Sequence, residues 1–207
     1  LDRAGITGPD GASHHGVYDM AMLSKVPGMR VLAPSSAQEL QQMLLDAASL
    51  ADEGPVAIRY PRGAARQVTD DQVGTGLLAR KARQGDGTVC ILAIGRMLEM
   101  AEKAATVLAD EGIDATVWDA RSCAPLDPAM IADAAGHGAV VTVEDGIRQG
   151  GIGMMMFDQI GAISHEVPVE ILGVPSRFIQ HGEPKQILAR LGLDPAGIAT
   201  TVRSMLA

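Results

Sequence analysis

The sequence contains only two cysteines, few aromatic residues and no run of lysine or arginine. Cys90 and Cys123 form neither a Cys-x-x-Cys pair nor a dense framework, which excludes a disulfide scaffold and is typical of a reducing, cytoplasmic compartment. The apolar runs are far shorter than the roughly 18 residues of a membrane span, so we expect no membrane partner. A net charge of -8 disfavours nucleic acid as a partner.

The chain begins at Leu1, without an initiator Met and without a signal-type apolar stretch. We therefore expect a fragment of a longer protein. Its 207 residues are enough for one large domain or two small ones.

Short apolar runs alternate with segments of helical spacing from Gly28 onward, which predicts an α/β fold built from βαβ units. The first series predicts a strand at Met29–Ala33 and a second strand at Val56–Tyr60. Between them a helix is expected to begin at Ser35 or Ser36, with Glu39 as its capping-box partner.

Residues 63–88 lack periodicity and are polar and glycine-rich, which predicts a linker between domains at 1–72 and 73–207. The second domain is predicted to be doubly wound and mostly parallel. Its expected strands lie at 89–94, 115–119, 139–143 and 169–172. Its expected helices lie at 98–111, after Pro128, after Gly151, at 185–191 and at 195–206.

The segment from Asp2 to Gly16 combines charged side chains with four glycines and a proline. Such a composition predicts an irregular loop in which polar groups converge on a ligand. A simple surface turn is the alternative.

Several motifs resemble, in order and spacing, the pyrimidine-binding domain of 1-deoxy-D-xylulose-5-phosphate synthases. They are Asp2-Arg3-Ala4-Gly5, Asp10-Gly11-Ala12-Ser13-His14, Val26-Pro27-Gly28-Met29, Ala33-Pro34-Ser35 and Arg59-Tyr60-Pro61-Arg62-Gly63. The likeness continues through Pro125-Leu126-Asp127, Val143-Glu144-Asp145, Gly150-Gly151-x-Gly153 and Phe178-Ile179-x-His181-Gly182. The Asp-Gly-x-Ser-His element is shared with the wider transketolase superfamily. The Arg-Tyr-Pro-Arg-Gly block narrows the resemblance to the 1-deoxy-D-xylulose-5-phosphate synthases.

The resemblance implies a remnant of a pyrimidine-binding domain at 1–72 followed by a transketolase C-terminal domain at 73–207. It also implies a cytoplasmic homodimer that condenses pyruvate with D-glyceraldehyde 3-phosphate, with loss of carbon dioxide, for isoprenoid, thiamine and pyridoxal biosynthesis. The cofactors implied are thiamine diphosphate and Mg2+, of which the first carries the carbanion chemistry.

Arg3 and Arg62 match motif positions that the resemblance assigns to the substrate phosphate, for which a planar guanidinium is suited. Arg59 is a weaker third candidate, since its place within a strand also suits a structural role. The alternative for all three is a surface arginine in a solvated ion pair.

His14 is the catalytic candidate, because a histidine can pass a proton to the nascent alkoxide or polarise the aldehyde. Asp10 is expected to accept a substrate hydroxyl or to orient a histidine, although it could simply be the turn residue before Gly11. At position 15 the resemblance leads us to expect Gln or Asn, whereas this chain has His15. His181 is expected near the site without an assigned role.

The segment Gly150-Gly151-Ile152-Gly153 fails the dinucleotide fingerprint, since Met156 stands where glycine or alanine is needed, and we interpret it as a close helix–sheet contact. His137 and His165 are predicted to be surface or capping residues.

The sequence contains no asparagine, so Gly85-Asp86-Gly87 cannot begin the Gly-Asp-Gly…Asn motif that holds the metal and diphosphate in this superfamily. The cofactor-activating glutamate is also not identifiable. We therefore expect the fragment to bind neither cofactor, to have no metal site, and to be inactive without the missing N-terminal part.

Two alternatives remain open. One is a β subunit of a thiamine-dependent 2-oxoacid dehydrogenase, against which Arg62 argues because a simple 2-oxoacid needs no phosphate clamp. The other is a non-catalytic dimerisation module.

Overall fold

The structure is a computed structural model that describes residues 1–207 and contains seven α-helices and eight β-strands. The helices are α1 (Asp19–Leu23), α2 (Ala37–Leu50), α3 (Met97–Asp110), α4 (Pro128–Ala135), α5 (Ile152–Ile163), α6 (Pro184–Arg190) and α7 (Pro195–Leu206). The strands are β1 (Arg30–Leu32), β2 (Val56–Ile58), β3 (Arg80–Arg83), β4 (Val89–Ala93), β5 (Thr116–Asp119), β6 (Ser122–Ala124), β7 (Ala139–Ile147) and β8 (Val169–Val174). None of the helices combines the length and apolar composition that crossing a membrane requires.

The larger sheet has the strand order β3-β5-β4-β7-β8. Strands β5, β4, β7 and β8 run parallel, and only the edge strand β3 is antiparallel. The chain passes from β4 to one side for β5 and returns to the other side for β7, so the order reverses between β4 and β7. This confirms the predicted α/β class and its doubly wound, mostly parallel sheet.

Both faces of this sheet are covered, and β4 shows how the sequence produces that arrangement. Val89 and Ile91 point into a cluster with α3 and α7, whereas Cys90 and Leu92 point into a second cluster with α4 and α5. All four side chains are fully buried. A strand buried on both faces needs a continuous apolar run, which is the pattern that predicted it.

The glycine-rich segment at the start of α5 packs directly on the sheet. A Cβ built on Gly153 would lie 2.5 Å from Thr142 Oγ1, so no side chain fits there. The backbone N–H of Gly153 donates to Glu144 Oε1 at 2.8 Å. These contacts agree with a structural interpretation of the segment. His137 likewise caps a helix end, since its Nδ1 lies 2.8 Å from the Asp133 carbonyl oxygen at the end of α4.

The smaller sheet joins distant parts of the chain in the order β2-β1-β6. Strands β1 and β2 pair in parallel across α2, with Arg30 opposite Val56. Strand β6 pairs antiparallel with β1, with Val31 opposite Ala124. Thus a strand from the part predicted to form the second domain completes a sheet of the first.

The linker predicted at residues 63–88 is wrong for Arg80–Arg83, which form β3. An edge strand is half-exposed on both faces and therefore shows no clear apolar alternation. Its contacts are polar: Lys81 lies 3.0 Å from Asp133 and 5.1 Å from the centre of the Trp118 ring. The short elements α1 and β6 were also not predicted.

Ser36 caps α2 as predicted, since its hydroxyl accepts from the Glu39 N–H at 3.0 Å. The Glu39 side chain, however, does not return to the cap, so the predicted capping box is wrong. Glu39 accepts from the Gly74 N–H at 2.6 Å and pairs with Arg121 at 2.8 Å. The Glu39 carboxylate is more stable when bonded to the buried Arg121 cation than when bonded to a solvated helix N-terminus, because little water competes for the buried bond.

Arg121 has no exposed surface and lies at the turn between β5 and β6 with φ of 55°. Its Nη1 donates to the carbonyl oxygens of Thr75, Gly76 and Leu78 at 3.0, 3.2 and 2.6 Å. A Cβ on Gly74 would lie 2.5 Å from Arg121 Nε, so only glycine fits at position 74 beside the guanidinium. One guanidinium thereby joins α2, residues 74–78 and the β5–β6 turn.

Replacing Glu39 with alanine should therefore reduce the unfolding free energy by about 3–5 kcal/mol, because it leaves the buried Arg121 charge with only the more distant carboxylate of Asp46, at 3.8 Å. Urea unfolding followed by circular dichroism measures the change. The matched control is Glu111→Ala, which removes an exposed carboxylate paired with Arg203 and should cost about 0–1 kcal/mol. Equal losses in the two variants would contradict the assigned role of Arg121.

Candidate functional site

The opening segment forms an irregular loop closed by backbone hydrogen bonds. The Gly5 N–H donates to the Gly16 carbonyl at 2.8 Å, and the Gly16 N–H donates to the Arg3 carbonyl at 3.1 Å. The Ala4 N–H donates to the Tyr60 carbonyl at 3.0 Å, which places the loop beside the end of β2. Arg3 itself adopts φ of 57°, an uncommon conformation for a residue with a side chain. The hydrogen bonds of the loop thus fix the backbone position from which the Arg3 side chain extends.

Three predicted residues meet beside this loop, and we call them the Arg3–Asp10–Arg62 cluster. Arg62 Nη1 donates to Asp10 Oδ2, and Arg3 Nε lies 3.9 Å from the same oxygen. Arg3 also donates to Asp2 at 3.2 Å. The hydrogen bond from Arg62, with the charges of both arginines, holds the pKa of Asp10 below its usual range. Asp10 is therefore a carboxylate that holds two half-exposed guanidinium groups side by side.

A cavity of about 580 Å³ adjoins the cluster, a size typical of small-molecule sites. Its charged lining residues are Asp2, Arg3, Arg62, Arg66, Arg96 and Glu99. The remaining lining comes from Pro34, Ser35, Ser36 and Leu40 before and within α2, from 60–65, and from Met100. Arginines therefore outnumber carboxylates four to two, which favours an anionic ligand.

His14 and His15 differ in their surroundings. His14 is exposed, with Nδ1 3.0 Å from Ser13 Oγ, and it lies outside the cavity lining. His15 is buried, and its Nδ1 accepts from the Thr7 N–H at 3.1 Å, so its neutral ring carries the proton on Nε2. Burial lowers the pKa of His15, although the backbone of Ile179 and Gln180 acts in the opposite direction. Of these two histidines, only His14 is accessible to a ligand.

His181 lies against the opening loop, as expected. A Cβ built on Gly11 would lie 3.5 Å from the His181 Cβ, and the Gly182 N–H donates to the Gly8 carbonyl at 3.2 Å. The Phe-Ile-x-His-Gly motif therefore supports the loop from the second half of the chain.

Arg59 lies apart from the cavity and is buried. Its Nη1 donates to Asp145 at 2.6 Å, its Nε lies 3.5 Å from Asp19, and its Nη2 donates to the Gly16 carbonyl at 3.2 Å. Burial opposes its charge, but the carboxylates of Asp145 and Asp19 outweigh burial and raise the pKa of Arg59. The guanidinium joins the opening loop, α1 and β7, and leaves no nitrogen for a ligand.

Several residues of this region were not assigned a role from the sequence. Asp145 belongs to the Val143-Glu144-Asp145 motif. The sequence signal that could have identified it is a pair of acidic residues directly after the apolar run 139–143. Its neighbour Glu144 is buried, and burial raises the pKa of Glu144 to about 7. Asp119, at the end of β5, is also buried, and burial raises its pKa to about 7 while Ser35 donates to it at 2.6 Å. Arg66 and Arg96 showed no sequence signal, since neither belongs to a motif.

No group of three histidine, cysteine, aspartate or glutamate side chains in residues 1–207 is arranged to hold a metal ion. The described residues therefore offer no cluster of ligands for the Mg2+ of a thiamine cofactor. The chemistry that these residues can perform is to bind an anion and to exchange a proton at an exposed histidine.

Two family models match the chain: "Transketolase, pyrimidine binding domain" over residues 1–67 and "Transketolase, C-terminal domain" over residues 78–198. The 1-deoxy-D-xylulose-5-phosphate synthase of Magnetococcus marinus is 39% identical over all of this chain and 33% of its own length. The synthase of Gloeobacter violaceus is 42% identical, again over all of this chain and 33% of its own length. The chain thus spans about a third of the length of these curated relatives.

A solved structure described as a split-gene transketolase, in an inactive β4 tetramer, superposes with a TM-score of 0.88 at 30% identity. It is matched over all of this chain and 65% of its own chain. The similarity to deoxyxylulose phosphate synthases inferred from the motifs is confirmed over the whole sequence. Since the C-terminal family model alone covers more than half of its residues, the chain belongs to the transketolase family.

Proposed function

We propose that this chain forms the substrate-phosphate side of a 1-deoxy-D-xylulose-5-phosphate synthase, which joins pyruvate to D-glyceraldehyde 3-phosphate with loss of carbon dioxide. The observation that carries the proposal is the Arg3–Asp10–Arg62 cluster at the edge of a cavity rich in arginine. The named relatives, which match the chain from end to end, support the same reaction.

In this proposal Arg3 and Arg62 bind the phosphate of glyceraldehyde 3-phosphate through charge-assisted hydrogen bonds. Asp10 holds the two guanidinium groups before substrate arrives and then accepts a substrate hydroxyl or orients His14. Holding the cationic groups in place in advance reduces the entropy that binding costs. Arg59 is proposed to support the loop, because its donors are already engaged inside the protein.

His14 is proposed to donate a proton to the aldehyde oxygen as that oxygen becomes a hydroxyl. An imidazole can both give and recover a proton. Thiamine diphosphate, when bound, supplies the carbanion chemistry. We propose that residues outside this chain hold the cofactor and its Mg2+, since the described residues offer no metal-ligand cluster.

We further propose that the chain is inactive alone and acts with the part of the enzyme that corresponds to the other two thirds of its relatives, as a cytoplasmic homodimer. The split-gene transketolase of similar fold, described as an inactive tetramer of β chains, supports the proposed inactivity of the chain alone. The same likeness favours a second candidate, a module that only assembles with other chains.

A chimaeric enzyme separates these two functions. The last third of the Magnetococcus marinus synthase would be replaced by this chain, which matches it over its whole length at 39% identity. We expect the chimaera to release labelled carbon dioxide from pyruvate and to form deoxyxylulose phosphate, whereas the 207-residue chain alone does neither. A folded, oligomeric chimaera without synthase activity would favour the assembly module.

Arg62→Ala in the chimaera should raise the KM for glyceraldehyde 3-phosphate roughly 10- to 150-fold, because a charge-assisted hydrogen bond is lost. The KM for pyruvate should change little. Steady-state kinetics with each substrate varied in turn measure the two values. Arg203→Ala, which removes an exposed arginine paired with Glu111, is the control. Equal increases in both constants would count against a phosphate clamp.

His14→Ala in the chimaera should lower kcat by about 10²–10⁴, the contribution typical of a general acid. The affinity for thiamine diphosphate, measured by calorimetry, should remain unchanged. His165→Ala removes another exposed histidine and should leave kcat intact. Loss of cofactor binding in the His14 variant would remove His14 from the proposed proton transfer.

A further inference from the structure

The cavity has two walls that come from different parts of the chain. The Arg3–Asp10–Arg62 cluster stands at the wall formed by the opening loop and residues 60–65. Another wall is formed by the start of α3, with its N-cap residue Arg96 and with Glu99 and Met100. At about 580 Å³ the cavity is far larger than a single phosphate requires.

Most charges in the cavity are already neutralised within the chain. Arg66 pairs with Glu102 at 2.5 Å, and Glu99 pairs with Lys103 at 2.5 Å. The hydrogen bond and charge of Lys103 hold the pKa of Glu99 below its usual range, so Glu99 remains an anion that is satisfied on its own helix. These pairs neutralise Arg66 and Glu99 within the chain.

Arg96 is the exception. Its side chain makes no hydrogen bond and no ion pair within residues 1–207, although it is only partly exposed and lines the cavity. It lies in the β4–α3 turn, beyond the carboxyl end of β4, and is the N-cap residue of α3. That end of β4 lies where the strand order reverses towards β7, the place where open α/β sheets bind ligands.

Two donors accompany Arg96 in the lining. Arg66 uses only Nη1 for Glu102, so its other N–H groups are free. Ser36 is buried and its oxygen already accepts from the Glu39 N–H, which leaves the hydroxyl proton to be donated. Ser35 does not contribute, because its proton is given to Asp119.

We propose that Arg96, Arg66 and Ser36 form a second anion subsite, so that the cavity accepts a ligand with two anionic groups, a phosphate at the Arg3–Asp10–Arg62 cluster and a second phosphate or a carboxylate at Arg96. This inference rests on the proposed phosphate clamp for the first group only. The second subsite is defined by different residues and can be tested separately.

Calorimetric titration of the 207-residue chain with inorganic phosphate tests the subsite. We expect two phosphate ions per chain, one per chain for Arg96→Gln, and one per chain for Arg62→Gln. Arg96→Lys, which keeps the charge, should retain the second ion with roughly tenfold weaker affinity, because lysine lacks the bidentate fork. Arg203→Gln, remote on α7, should still bind two.

The two variants separate the inference from the proposed function. If Arg96→Gln binds as many phosphate ions as the unaltered chain, the second subsite is overturned. If only Arg62→Gln has no effect, the phosphate clamp falls and the Arg96 subsite stands. Circular dichroism of each variant establishes that it is folded, and Arg66→Gln provides a second variant that should weaken the same ion about tenfold.

Discussion

The buried guanidinium of Arg121 is the interaction on which the arrangement of this molecule depends. It is entirely removed from water, and such a charge is tolerated only when it is paired and hydrogen-bonded. Its partners come from α2 and from the connecting chain at 74–78, whereas Arg121 itself lies in the β5–β6 turn. Because these contacts hold α2 against the larger sheet, they also position residues 34–36, which precede α2 and line the cavity.

The arginines of this chain illustrate how burial divides one residue type between two tasks. Arg121 and Arg59 are buried, and their donors are taken up by carboxylates and carbonyl oxygens of the protein. Arg3 and Arg62 are half-exposed and share a single carboxylate oxygen, so their remaining donors point to solvent. A guanidinium of the first kind stabilises the fold, whereas one of the second kind can exchange its water for an anion at low cost.

The sequence alone was sufficient to predict the helices and strands that have a local apolar pattern. The buried run Val89–Ile94 and the Asp127-Pro128 helix start lie within a residue or two of where they were expected. Strand β3 was missed because an edge strand of Arg, Lys, Ala and Arg acquires its structure only from its partner β5. Arg3, Asp10 and Arg62 were identified from motifs as substrate-binding candidates, but the pairing of Asp10 with both arginines was not predicted. The engagement of Arg59 with Asp145 was also not predicted, since it joins residues 86 positions apart and depends on how β7 packs.

The pairing of β6 with β1 has a consequence for how the protein is made. Residue 124 lies opposite residue 31, so the smaller sheet cannot be completed on the ribosome until nearly a hundred further residues have been synthesised. At typical synthesis rates this delay is roughly 5–20 s, during which one edge of β1 stays open. During this interval a chaperone, or a strand of a partner chain, can bind the open edge of β1 before β6 pairs with it.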